Sequence, residues 1–259
     1  MHSMKNTPAR TICLLLALTV AAESRAADLV VFSTGSMSEP MKEIGEEFMH
    51  HTGHKLTYVI GTTGALQMRL RAGEHADMIA ISAEGADALA KEGRFDGPRE
   101  PFARSVIAIA VKKGTPMPDI STPDKFKQAM LNAKSISISD PALSSISGVY
   151  ILSLFEKMGI ADVMKRKTVI KPVGLDVATA VANGEVEIGA TFRSELMPNK
   201  GVTVSETFPE AIQSPTLYVV GVSKDAKDKD AARAFVAYTL TPESQAKLKP
   251  IGVEAAARH

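Results

Sequence analysis

The feature that most constrains this chain is a short apolar strand that runs into a small-residue turn and then into an amphipathic helix, because the pattern recurs. Leu29-Val30-Val31-Phe32 leads into Ser33-Thr34-Gly35-Ser36-Met37. The residues that follow would turn Met41, Ile44, Phe48 and Met49 inward at helical spacing. Val59-Ile60-Gly61-Thr62-Thr63-Gly64-Ala65-Leu66 repeats the layout. A third strand is predicted over 76–82, with a helix over 86–92. Short strands alternating with helices imply βαβ units and an α/β sheet whose ligands sit beyond the strand carboxyl ends. Ser36, Thr63 and Ser82 are therefore expected to face one crevice. At each junction a helix N-terminus offers unpaired N–H groups and the positive end of its dipole, which together favour an anion. The hydroxyls of Ser33, Thr34 and Ser36 can either cap the helix or reach that ligand. A single such turn leaves both readings open. Repetition favours the ligand.

The pattern continues. Residues 93–101 read as a turn-rich connection, 105–111 as a buried strand, and 114–123, with three prolines, as a loop. A helix over 125–131 and a strand over 135–139 lead to a hydroxyl-rich turn, 140–148. The helix after it has an apolar stripe of Val149, Leu152, Phe155 and Met158, which reads as core. Strands are predicted over 168–172, 187–192 and 217–222. Helices are predicted over 176–181, with Gly184 as C-cap, and over 231–240. Thr241-Pro242 has the N-cap and first-position signature of a last helix.

Composition excludes several classes. The 259 residues suffice for two lobes with real cores, and a net charge of +1 offers no global field for nucleic acid. Tryptophan is absent and aromatics are 5%, which argues against stacking platforms for sugars or single strands. At the N-terminus, Lys5 and Arg10 precede an apolar stretch over 11–22, and Ser24-Arg25-Ala26 follows it. That is the layout of a signal peptide over 1–26, cut after Ala26, which places the mature chain in the periplasm with no membrane insertion. The one cysteine, Cys13, falls in the apolar stretch, so a mature chain would have no disulfide, thiolate metal site or cysteine nucleophile. No metal or cofactor motif is present. His50-His51 with His54 has only loose metal-ligand spacing, and these, like His75, read as solvated.

In order, these turns resemble the type II periplasmic solute-binding proteins, in particular the molybdate-binding branch. Residues 31–37 are similar to that family's first ligand turn, with Ser33 beside the hydroxyl donor Ser36. Residues 61–66, with Thr62 and Thr63, are similar to its second. The stretch around Ser147 resembles the third and Asp176-Val177 the fourth, both as backbone donors, and the aromatic at Phe192 closes the set. The resemblance implies an α/β, two-lobed fold, each lobe a mixed, mostly parallel sheet flanked by helices. Lobe one would take 27–103 plus 221–259 and lobe two 104–220, with the ligand cleft between them. It implies a monomer that binds a small anion and passes it to an ABC permease.

Two departures bear on the ligand. Phe192 lacks the hydroxyl of the family's tyrosine, and Arg104 and Arg193 stand near the expected cleft. Guanidinium groups suit bidentate carboxylates, so these residues favour an organic di- or tricarboxylate over molybdate. The same departures admit a periplasmic isomerase on this scaffold, similar to aconitate isomerase, which would move a proton between carbons. Ser36, Asp176 and Glu195 are then the candidate acid–base groups.

Overall fold

The computed structural model describes residues 26–256. The signal-peptide reading therefore lies almost wholly outside the described residues. The chain runs β1 (Asp28–Thr34), α1 (Gly35–Thr52), β2 (Lys55–Gly61), α2 (Thr63–Arg71), β3 (Met78–Ser82), α3 (Ala83–Lys91), β4 (Phe95–Ser105) and β5 (Ile107–Lys112). Next come α4 (Pro123–Asn132), β6 (Ile136–Ser139), α5 (Ile146–Lys157), α6 (Ala161–Lys165), β7 (Thr168–Lys171), α7 (Gly174–Asn183), β8 (Ile188–Phe192) and α8 (Arg193–Leu196). It ends with β9 (Val202–Val204), β10 (Thr216–Ser223), α9 (Lys229–Thr239), α10 (Pro242–Ala246) and β11 (Val253–Ala255).

These strands build two mixed sheets. The first has the order β11-β4-β10-β3-β1-β2, and the second β7-β6-β8-β5-β9. In the first, β1 pairs in parallel with β2 and β3, while β10 and β11 add antiparallel partners beside β4. In the second, β6 is parallel to β7 and β8, while β5 is antiparallel to β8 and β9. Each sheet thus has a parallel half, where the βα turns gather, and an antiparallel half made by the returning chain.

Strand alternation decides what each face buries. In β1, Leu29 and Val31 pack with Met41, Ile44 and Phe48 of α1, whereas Phe32 faces Leu66, Leu70 and Ile79 on the other side. Phe48 packs against Phe235 of α9 with tilted rings, centroids 4.9 Å apart, so α1 and α9 share one face of the sheet. In the second sheet, Ile107 and Ile109 join Phe126, Phe155 and Phe208, and Ala108 and Ala110 meet Val177 and Leu196. The buried Asp77 pins the first sheet, accepting from the backbone N–H of Val30 and of Lys227, both at 2.8 Å.

Several expectations need correction. Residues 95–101 are strand, because β4 crosses between β10 and β11 instead of looping over the surface. The boundaries expected at 103/104 and 220/221 fall inside β4 and β10, both members of the first sheet. The core face of α5 carries Ile151, Leu154 and Phe155, while Val149 is exposed. This helix is apolar on several sides, so periodicity alone does not choose its rotation. Gly148 does: a Cβ there would stand 2.1 Å from the Ser139 carbonyl oxygen, and only glycine permits that approach. His54 is buried, not solvated. Its Nδ1 accepts from the Ala27 N–H at 2.9 Å and its ring stacks on Phe48.

Candidate functional site

Four helices begin at one small cavity. Its walls include Thr34–Ser36 at the start of α1, Gly61–Thr63 at α2, Ser145–Ser147 at α5, and Val173-Gly174 at α7. Phe192, Glu195 and Tyr218 complete the lining. Each helix enters from a parallel strand through a turn of small or hydroxyl residues, so its first N–H groups and positive dipole end face the cavity. Thr62 caps α2, accepting from the Ala65 N–H at 3.1 Å, and Ser145 caps α5 through the Gly148 N–H at 3.3 Å. The caps of α1 and α7, Thr34 and Val173, use no side-chain hydrogen bond. In α7 the Gly174 N–H is taken by the Glu195 carboxyl, and those of Asp176 and Val177 by the Val173 carbonyl.

Hydroxyls line the walls in bonded sets. Thr34 Oγ1 and Ser36 Oγ lie 3.1 Å apart, and Ser36 also bonds the Tyr218 hydroxyl. Across the cavity, Ser147 Oγ is 3.1 Å from Thr191 Oγ1 and 2.9 Å from Ser139 Oγ. The two walls touch at the rim, where the Thr62 hydroxyl donates to the Leu143 carbonyl. No lysine, arginine or histidine is among the lining residues that the structure describes.

The charge that does line the cavity is negative. Glu195, in the first turn of α8, is 6% exposed, and its Oε2 accepts from Thr191 Oγ1 at 2.6 Å. Its carboxyl also takes backbone hydrogen bonds from Gly174 and Phe192. Two glycines make room for it: a Cβ on Gly35 would lie 2.5 Å from Oε1, and one on Gly174 2.0 Å from Oε2. Burial pushes the acid up to about 7, against the lowering effect of those hydrogen bonds, and the nearby Asp176 carboxylate adds to the rise. The fully buried Tyr218 hydroxyl is pushed well above its usual range, again by burial, and so remains a donor.

Of the residues expected from the sequence, Ser36, Thr62, Thr63, Ser147, Phe192 and Glu195 come together at this cavity. Ser33, Asp176 and Val177 are not in its lining, because α7 starts at Gly174 and presents its first turn instead. Arg104 and Arg193 are not in it either. Arg104 lies exposed on β4 in register with Glu254, and Arg193 lines a separate depression with Glu206 and Lys249. Tyr218 was missed, since a tyrosine in an apolar strand carries no motif. It stands edge-on to Phe192, ring centroids 5.9 Å apart, and puts a phenol beside the aromatic that lacks one.

The family model described as bacterial extracellular solute-binding protein matches residues 29–253. The chain belongs to this family. It is 30% identical over 233 residues to the aconitate isomerase of a Pseudomonas species, covering 87% of each chain. It is 22% identical over 242 residues to the molybdate-binding protein ModA of Rhodobacter capsulatus, covering 92% of this chain and 93% of that protein. In fold it is similar to the periplasmic molybdate-binding protein of Azotobacter vinelandii. The TM-score is 0.75 at 17% identity, with 89% of this chain and all of that one covered. Two mixed sheets with the cavity between them are the type II solute-binding-protein architecture.

Proposed function

We propose that this solute-binding protein works in the periplasm, where it holds a small anion, an oxyanion or a short organic di- or tricarboxylate, for delivery to an ABC importer. The observation that carries this reading is the convergence of four helix N-termini and their hydroxyls on one cavity whose described lining holds no basic side chain. Such a site meets negative charge with oriented N–H and O–H dipoles rather than with a counter-ion, as helix N-termini do for phosphate and sulfate. With Arg104 and Arg193 outside the lining, their case for a carboxylate over an oxyanion lapses, and Tyr218 offers the phenol that Phe192 cannot. In this reading lobe one takes the first sheet, through 105 and again from 216, and lobe two takes the chain between. Isothermal titration with molybdate, sulfate and trans-aconitate tests it: one of these binds stoichiometrically, and binding by none of them overturns it.

Glu195 favours a second reading, a polycarboxylate isomerase. A buried carboxyl with a pKa near neutrality can take a proton from one carbon and return it to another. The 30% identity to the Pseudomonas aconitate isomerase supports the same chemistry. Incubation with trans-aconitate, followed in the ultraviolet, decides between the two. Catalytic conversion to the cis isomer, abolished by Glu195→Gln, establishes the enzyme; stoichiometric binding without turnover removes it.

A further inference from the structure

We infer that the anion site is switched by a proton: a proton on Glu195 removes the negative charge of the described lining and, through Thr191, one of the acceptors that compete with the ligand for the proton of Ser147. This rests on the anion-binding reading above and adds its regulation. The argument is one of hydrogen-bond polarity. Each serine or threonine hydroxyl has a single proton to donate. With Glu195 ionised, its carboxylate can only accept, so Thr191 must donate to Oε2 across their 2.6 Å contact. Thr191 Oγ1 is then free to accept from Ser147 at 3.1 Å, and it competes with Ser139 Oγ at 2.9 Å and Ser145 Oγ at 3.3 Å for the one proton of Ser147. While any of these neighbours holds that proton, Ser147, which lines the cavity at the N-terminus of α5, presents lone pairs to an incoming anion.

Protonating Oε2 reverses the row. Glu195 donates to Thr191 and Thr191 to Ser147, so Thr191 no longer accepts from Ser147 and only Ser139 and Ser145 still compete with the ligand for its proton. The balance is simple: one proton moves from solvent to Glu195 Oε2 when the anion arrives and returns when it leaves. No bond other than O–H changes. The same event removes the negative charge that the described lining otherwise holds, so both effects favour the anion.

The surroundings of Glu195 suit the role. Among the elements packed round it, α7 brings Asp176, whose charge opposes ionisation of the acid, and β10 brings Tyr218, whose phenol stays neutral. From α1, α5 and β8 the lining receives only Gly35, Ser36, Ser145, Ile146, Ser147 and Phe192, none of them basic. Burial then holds the carboxyl near its midpoint at neutral pH. Gly35 and Gly174 confine both oxygens, so the carboxyl cannot swing away from Thr191.

The test is calorimetric titration of the intact protein with molybdate and with trans-aconitate from pH 6 to 8.5, in two buffers that differ in ionisation heat. The switch predicts uptake of a fraction of a proton at pH 7, rising toward one at pH 8.5. Affinity should weaken about tenfold per pH unit above neutrality. Glu195→Gln, whose amide donates permanently to Thr191, is expected to bind independently of pH and more tightly than the parent at pH 8.5. A merely structural role would predict loss. Ser147→Ala, which removes the terminal donor and leaves Glu195 alone, should weaken binding at pH 6. A probe that binds without proton uptake, or a Glu195→Gln variant that is weaker than the parent at pH 8.5, overturns the switch but leaves the anion site standing. Failure of molybdate, trans-aconitate and sulfate alike to bind at any pH overturns the anion reading itself, and the switch with it.

Discussion

The carboxyl of Glu195 fills the space that a side chain on Gly174 would need: a Cβ at 174 would stand 2.0 Å from Oε2 and 2.5 Å from Thr191 Oγ1. The first turn of α7 and the one acidic side chain in the cavity lining are therefore fitted to each other, and glycine is the condition of the fit. Gly174→Ala should displace Glu195 from Thr191 and cost about 1–3 kcal/mol, the usual penalty for overpacking a dense interior. Urea unfolding of the variant would show the lost stability. Titration with molybdate or trans-aconitate should show binding weakened at least tenfold.

Stability should depend on pH through the same residue. A carboxyl whose folded pKa is raised from 4.5 to about 7 holds a proton in the folded state that the unfolded chain has released. The stabilisation is complete below about 4.5 and is lost as pH rises through about 7, a change on the order of 3 kcal/mol. The melting temperature of the ligand-free protein should fall between pH 5 and 8. Glu195→Gln should flatten that part of the profile, and a parent and variant with parallel profiles would refute the assignment.

Tyr218 is expected to act as a donor to the ligand. Its hydroxyl lines the cavity beside Ser36, and burial keeps it protonated. Tyr218→Phe removes one oxygen while keeping the ring that stands edge-on to Phe192. A lost hydrogen bond to a charged acceptor is worth about 1.5–3 kcal/mol, so affinity should fall by tenfold or more. The melting temperature should change little. Unchanged affinity would remove Tyr218 from the site.

Asp77 is a matter of stability alone. It is fully buried and accepts from two backbone N–H groups distant in sequence, at Val30 and Lys227. Asp77→Ala would leave both donors without an acceptor in the interior, a cost of about 3 kcal/mol at 1–3 kcal/mol for each unsatisfied group. Denaturant unfolding should register that loss. Ligand affinity, measured where the variant is still folded, should stay within twofold.

What could be read from the sequence follows what is local. The strand–turn–helix units at 29–37 and 59–66 announce themselves by apolar runs ending in Ser, Thr and Gly, and the structure places both turns at the cavity. The side chains that finish the site are not local. Tyr218 arrives on an antiparallel strand whose neighbours in sequence are all apolar, so nothing nearby marks it. Glu195 was named only as one of three possible bases, because its burial depends on Gly35 and Gly174, which come from opposite walls. Asp176 and Val177 were placed one step too far along α7, since helix starts are marked weakly when the cap is a valine without a side-chain bond. The arginines were drawn toward the cleft by chain order; sheet register sets Arg104 opposite Glu254, and the start of α8 sets Arg193 against Gly252.

Those arginines give the last prediction. Arg104 lies opposite Glu254 and Leu217 on exposed strand surface. Arg193 extends beneath Gly252, where a Cβ would come within 3.1 Å of its Cγ, and its buried Nε has no partner among the described residues. Neither guanidinium is in the lining, so a ligand held there would lose little from their removal at a Debye length of about 8 Å. Arg104→Ala and Arg193→Ala should bind molybdate or trans-aconitate within about twofold of the parent at physiological salt. Arg193→Ala should still lower the melting temperature, because the guanidinium's aliphatic stem packs against the C-terminal segment. A tenfold loss of affinity in either variant would return a guanidinium to the site and restore the case for a carboxylate ligand.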